Sequence, residues 1–193
     1  MEPIPETMMA WKKTKPVEGG FELLETKVPT PRNGEVLVRT HSTSICGTDI
    51  HIWKWDDWAS ENVPPGTITG HETCGTVVAV GDGVTTHKIG DEIAVECHLA
   101  CWDCDRCDEG NAHICENGKI FGVHTDGAFA PYFTIPSINA RHLPDNLPIE
   151  LASIQDPLGN AIHTLTGGPV TDSIIAIHGL GPIGLFAVNA AKA

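Results

Sequence analysis

Apolar and polar positions in the first part of the chain follow the two-residue repeat of short strands more often than the period of a helix. Met8 to Lys13, Gly20 to Thr26 and Glu35 to His41 read as strands, set apart by turns bearing Pro and Gly, notably Val28 to Gly34. Glu35-Val-Leu-Val-Arg39 alternates as a strand with one buried face does. Further strands are predicted over Glu72 to Val80, Glu92 to Cys97 and Gly127 to Ile135, with Gly81-Asp82-Gly83 as a tight turn. Gly47-Thr48-Asp49 reads as a turn and helix cap leading into Ile50 to Trp53, which would put Thr48 and His51 on one face. Repeated short strands with glycine turns suggest a small closed sheet.

The pattern changes near residue 148. Pro148 to Gln155 reads as a short helix with Pro at its start, and Asp156-Pro157 is expected to stop it. Asn160 to Thr166 reads as a second helix. Ser173 to His178 is an apolar run of the kind buried in a parallel sheet. Gly179-Leu-Gly-Pro-Ile-Gly184 follows, then an apolar helix from Leu185 to Ala193. Strand, Gly-x-Gly-x-x-Gly and helix in that order are the context of a dinucleotide fingerprint. In it Gly179 allows the turn, Gly181 lets the backbone approach a pyrophosphate and Gly184 permits close helix packing. A ribose-reading acid and further strands would lie beyond Ala193, so the chain is expected to be the N-terminal part of a longer one.

Composition narrows the partners. A net charge of −13 with only 12 Lys and Arg argues against nucleic acid or an anionic membrane, each of which attracts a basic patch. No stretch approaches the length of a membrane span, and the first residues lack a signal-peptide pattern, so a cytoplasmic location is expected. Seven cysteines, four of them crowded together, suit metal ligation better than a secreted disulfide framework.

Cys101-x2-Cys104-x2-Cys107-x7-Cys115 matches a closed structural zinc site. An iron–sulfur cluster is the competing reading, but the ferredoxin run places its fourth cysteine after three residues and follows it with Pro, whereas here Glu116 follows Cys115. The charged residues between the cysteines suit a solvent-exposed lobe. Cys46, His71 and Glu72 offer a thiolate, an imidazole and a carboxylate, the mixed set of a catalytic zinc with an open position. Cys74 and Cys97 read as core residues. Trp53, Trp55 and Trp58 with Asp56 and Asp57 carry no assignment beyond packing or a subunit contact.

The order CGTD-x-H, GHE, four cysteines and Gly-x-Gly-x-x-Gly resembles the zinc-dependent medium-chain alcohol dehydrogenases over nearly the whole chain. Thr43 to Ile52, Trp55 to Trp58, Lys119 to Val123 and Pro157 to Ala161 are similar to the L-threonine 3-dehydrogenase branch of that superfamily. The resemblance implies a mainly β GroES-like barrel over residues 1–155, with a zinc lobe at about 97–120. A junction helix and the first strand, turn and helix of an incomplete α/β Rossmann domain would occupy 156–193. It further implies two Zn2+ per chain and NAD or NADP, with NAD preferred, bound at Gly179, Gly181, Pro182, Ile183 and Gly184. Thr48 would bond the substrate oxygen and His51 would carry its proton to solvent. His98 would lie at the substrate end of the cleft. Asp156 stands where many members carry Glu, as a candidate fourth zinc ligand, direct or through water. The implied reaction takes L-threonine to 2-amino-3-oxobutanoate in a homotetrameric parent. A polyol or glucose dehydrogenase, or a zinc-binding module without activity, are the alternatives.

Overall fold

The computed structural model describes residues 3–193, so the first two residues of the expected barrel domain lie outside it. Strands β1 (Thr7–Lys13) and β2 (Phe21–Lys27) form an antiparallel pair, with Thr7 opposite Lys27 and Lys13 opposite Phe21. The two-residue strand β4 (Thr67–Ile68) adds to the other edge of β1. A second antiparallel sheet contains β3 (Glu35–Thr43), β5 (Thr73–Val80), β6 (Glu92–Val95), β9 (Tyr132–Pro136) and β10 (Ala140–His142), in the order β10-β6-β5-β3-β9. It curls into a half barrel. Two irregularities in the β3–β5 ladder, at Leu37/Val38 and Thr40/Ser42, supply local bending of the kind that bulges give a sheet. A small ribbon of β7 (His98–Leu99) and β8 (Lys119–Ile120) closes the base of the cysteine lobe, which carries the single helical turn α3 (Asp105–Asp108).

The core fills the concave side with Val36, Val38, Val77, Ile93, Val95, Phe133 and Ile135, all buried. Phe121 and Phe133 pack with ring centroids 5.2 Å apart. The alternation expected of β3 is absent at its centre, because Val36, Leu37 and Val38 are all buried. β3 lies between β5 and β9, and over these three residues both faces are covered, while His41 further along the strand is exposed. The strand predicted over Gly127 to Ile135 begins only at Tyr132. Gly127, Ala128 and Phe129 instead spend their amide N–H groups on Ile68, Gly70 and Thr69 carbonyls, tying the loop to the chain before His71.

Helices α1 (Gly47–Lys54) and α2 (Asp57–Asn62) follow β3. Helix α4 (Gln155–Leu165) corrects two expectations at once: Asp156-Pro157 does not stop a helix, and the junction helix starts well before Asn160. Proline lies in the first turn, where its missing N–H has no intrahelical acceptor to lose. Helix α5 (Pro182–Ala190) follows the glycine run, with Gly181 as N-cap. The strand expected at Ser173 to His178 does not form, and Ile174 is fully exposed. A parallel strand needs ladder partners and helices on both faces, and among the described residues nothing pairs with this segment.

Candidate active site and metal centres

The antiparallel pairing of β3 with β5 explains how two motifs far apart in sequence meet. Thr43 pairs with Thr73, so the residues leaving β3 run alongside those entering β5. Ser44 N–H donates to the Glu72 carbonyl at 2.8 Å, and the Thr43 and Thr73 hydroxyls lie 3.0 Å apart. Cys46, which caps α1, is thereby brought to His71 and Glu72, and their ligand atoms lie within 4.8 Å of one another. Gly70 makes the approach to His71 feasible. Its φ is +91°, and a Cβ there would stand 2.7 Å from the Phe129 ring.

Asp49, read from sequence only as part of a turn, has two roles. One carboxylate oxygen accepts the Cys46 N–H at 2.8 Å and fixes the cap. The other lies 3.9 Å from His71 Nδ1, and both atoms are buried without a hydrogen-bond partner. A carboxylate behind an imidazole is the arrangement that orients a metal-ligating histidine. Burial pushes the Cys46 thiol and the Glu72, Asp49 and Asp156 carboxyls above their ordinary pKa values. Several acids thus crowd around a single imidazole, and a divalent cation would supply the positive charge they call for. The donor set and its charge fit a zinc ion.

Thr48 Oγ1 lies 3.6 Å from Cys46 Sγ. Thr48 and His51 share one face of α1 and line a cavity of about 430 Å3 with Asp56, Asp57 and Trp58. His51 Nδ1 bonds the Asp56 carboxylate, which also accepts the Ala59 N–H to cap α2. His51 draws the Asp56 carboxyl below its ordinary pKa. Asp56 as partner of His51 is legible only once both helices are in place. The tryptophans separate: Trp58 meets the His51 ring edge-on, while Trp55 ends α1 in a left-handed conformation and stacks over Lys13.

Asp156 does not join the Cys46, His71 and Glu72 cluster. Its carboxylate instead lies with Glu96, Cys97 and His98, although its charge still acts on both His71 and Glu72. His98 is exposed and lines, with Glu96 and Asp156, a cavity between the cysteine lobe and α4. Cys74 is the core residue expected, bonded to Ser42 and to the Ile149 carbonyl. Cys97 is the buried residue expected, and burial pushes its thiol well above the ordinary range.

In the lobe, Cys101, Cys104, Cys107 and Cys115 converge with no disulfide. Sγ distances are 3.4 Å for Cys101–Cys115, 3.6 Å for Cys104–Cys107 and 3.8 Å for Cys104–Cys115. Four sulfurs about 2.3 Å from one tetrahedral ion would be separated by about 3.8 Å. The spacing fits one zinc. It is too close for a four-iron cluster, in which each cysteine holds a different iron. The Cys101 backbone N–H pulls the Cys115 thiol down to about 7, favouring the thiolate a metal needs.

At the fingerprint, Gly179 adopts φ +90°, and a Cβ on Gly184 would stand 2.0 Å from the Gly179 carbonyl oxygen. Gly181 faces open space.

These features define a class. Over residues 32–145 the chain matches the alcohol dehydrogenase GroES-like domain, and it belongs to that family. Among relatives, L-threonine 3-dehydrogenase of Pyrococcus furiosus is 48% identical over 188 residues, covering 97% of this chain and 54% of the relative. The enzyme of the same name from Symbiobacterium thermophilum is 47% identical over 187 residues, covering 97% and 53%. The chain therefore spans about half the length of the curated relatives it matches. An alcohol dehydrogenase from Escherichia coli CFT073, solved with NADH, superposes with a TM-score of 0.88 at 30% identity, over 97% of this chain and 54% of that one. Galactitol-1-phosphate dehydrogenase from Escherichia coli gives 0.84 at 28% identity, over 96% and 52%. No helix among the described residues is long and apolar enough to cross a membrane.

Proposed function

We propose that this chain is the catalytic part of a zinc-dependent oxidoreductase that passes hydride from a secondary alcohol to NAD(P)+, with L-threonine going to 2-amino-3-oxobutanoate. The observation that carries the reading is the cluster of Cys46, His71 and Glu72 with Thr48 beside it. The names of the relatives support the substrate.

Cys46, His71 and Glu72 would hold the zinc, and its fourth position would be open to water or substrate. When bound, the ion acts as a Lewis acid that lowers the pKa of a hydroxyl. The Thr48 oxygen would take the proton of the substrate hydroxyl as its own hydroxyl proton moves on toward His51. His51, one turn further on α1 and at the exposed end of the same cavity, passes that proton to solvent, with Asp56 holding its ring. Asp49 keeps the His71 imidazole oriented. NAD, as hydride acceptor, would rest its pyrophosphate on Gly179, Gly181, Pro182, Ile183 and Gly184. His98 and Asp156 would face the substrate. Cys101, Cys104, Cys107 and Cys115 would hold a second zinc whose contribution is to folding. In the same reading residues 1–155 form the barrel domain, 156–193 begin the cofactor domain, and the parent is a cytoplasmic homotetramer.

Similarity to galactitol-1-phosphate dehydrogenase keeps a polyol substrate as the second reading. The test follows NAD+ reduction by the protein extended through its cofactor domain, offered L-threonine, sorbitol and glucose. Turnover of L-threonine is expected, falling by about 10²-fold or more in Thr48→Val. Turnover of sorbitol with threonine inert would select the polyol reading, and unchanged turnover in Thr48→Val would contradict the relay.

A further inference from the structure

Lys13 is a fully buried cation at the end of β1, opposite Phe21 of β2. Its Nζ donates to the Val17 and Gly19 carbonyls at 2.7 and 2.8 Å. It also stands over the rings of Phe21 and Trp55, 5.1 and 4.9 Å from their centroids. Carbonyl oxygens and ring faces thus serve the ammonium where a surface lysine would have water.

These contacts lead to the end of α1. Gly19 N–H donates to the Trp53 carbonyl at 2.8 Å, so the loop that Lys13 holds closed covers one of the last carbonyls of the helix. Trp55 donates its N–H to the His51 carbonyl and ends the helix with φ 57° and ψ 47°. A tryptophan rarely adopts that left-handed backbone, which persists only where its surroundings hold it. The turn decides where the next residue points. Asp56 begins α2 and places its carboxylate on His51 Nδ1. Had α1 simply continued, Asp56, five residues beyond His51, would lie on a different face, because helical neighbours are three or four apart.

We propose that Lys13 and Trp55 form a latch that positions the His51–Asp56 pair and, with it, the exit of the proton relay. Neither residue lines the cavity of Thr48, His51, Asp56, Asp57 and Trp58, so both are positioning residues. The ammonium grips the Trp55 ring from one side while its carbonyl partners fix the loop against Trp53. The left-handed turn is held, and Asp56 stays within reach of the imidazole. The catalytic consequence rests on the reading of His51 as the residue that hands the proton to solvent.

The test has two parts, and the first needs no turnover. Asp56 is titrated in the chain by carbon NMR of isotope-labelled aspartate carboxyls, with Asp56→Asn for assignment. The His51 hydrogen bond, then the Ala59 N–H and the charges of His51 and Lys54, hold this carboxyl below its ordinary value. In Trp55→Leu and in Lys13→Met it should titrate higher than in wild type. Leucine keeps an apolar side chain against Ile52 and Ala59 and leaves the lysine charge and hydrogen bonds in place, but it offers no ring face. Its effect therefore reports geometry, and it decides the matter if Lys13→Met does not fold. The second part follows L-threonine turnover by the zinc-loaded protein extended through its cofactor domain. Each variant should lower kcat by about 10-fold with KM little changed, and neither should lower it further in a His51→Gln background. An Asp56 titration unmoved in Trp55→Leu would overturn the proposal. So would a kcat loss equally large with and without His51, the mark of a merely structural part. Wild type inert toward L-threonine would overturn the proposed substrate, and the Asp56 titration would then decide the latch by itself.

Discussion

Asp49 serves two neighbours at once, anchoring the Cys46 backbone with one oxygen and standing behind His71 with the other. Asp49→Asn keeps the shape and the cap but removes the charge behind the imidazole. Zinc affinity at the Cys46 cluster should fall by about 10- to 100-fold, the range for such outer partners. Competition with a chelator, read by elemental analysis, checks this, and the four-cysteine ion should be unaffected. Cys46, His71 and Glu72 were legible in the sequence because CGTD-x-H and GHE are contiguous text. The partnerships of Asp49 with His71 and of Asp56 with His51 were not, since each spans elements whose approach only the fold supplies.

The turn before β5 sets the geometry of the site. Gly70 has a left-handed φ and lies against the Phe129 ring, so Gly70→Ala meets both backbone strain and a clash. The substitution should cost about 1–3 kcal/mol of stability, read as a lowered urea midpoint. β1 alternates in burial but not in residue type, since Met9 and Trp11 face outward and Lys13 is buried, so its strand is legible from the flanking turns and not from polarity. Alternation failed in the middle of β3, where both faces are covered. It misled at Ser173 to His178, where an apolar run had no ladder partner among the described residues. Pro157 reads as a helix stop in sequence, yet it lies in the first turn of α4, where proline is tolerated.

At the scale of the molecule, pH acts through a histidine pair that ties β10 to the loop before β6. His87 and His142 stack with ring centroids 4.2 Å apart. His87 bonds the Thr86 hydroxyl and the Ala140 carbonyl, and His142 faces Asp91 at 3.9 Å. Burial, with the neighbouring His142, lowers the His87 pKa from its ordinary 6.5. The unfolded chain therefore takes up a proton below 6.5 that the folded chain refuses, and stability is lost as pH falls from 6.5 toward the depressed value. Thermal melts should show that loss, and His87→Gln should flatten it. An unchanged pH dependence in the variant would remove His87 from the explanation.

On the proposed reading one chain holds two metal centres of different purpose. The measurement that tests it is zinc content per folded, dialysed chain, in wild type and in Cys46→Ser. Two zincs falling to one, with the fold retained, is the predicted result. One zinc in both would leave only the Cys101 to Cys115 lobe as a metal site and contradict the catalytic reading of Cys46, His71 and Glu72.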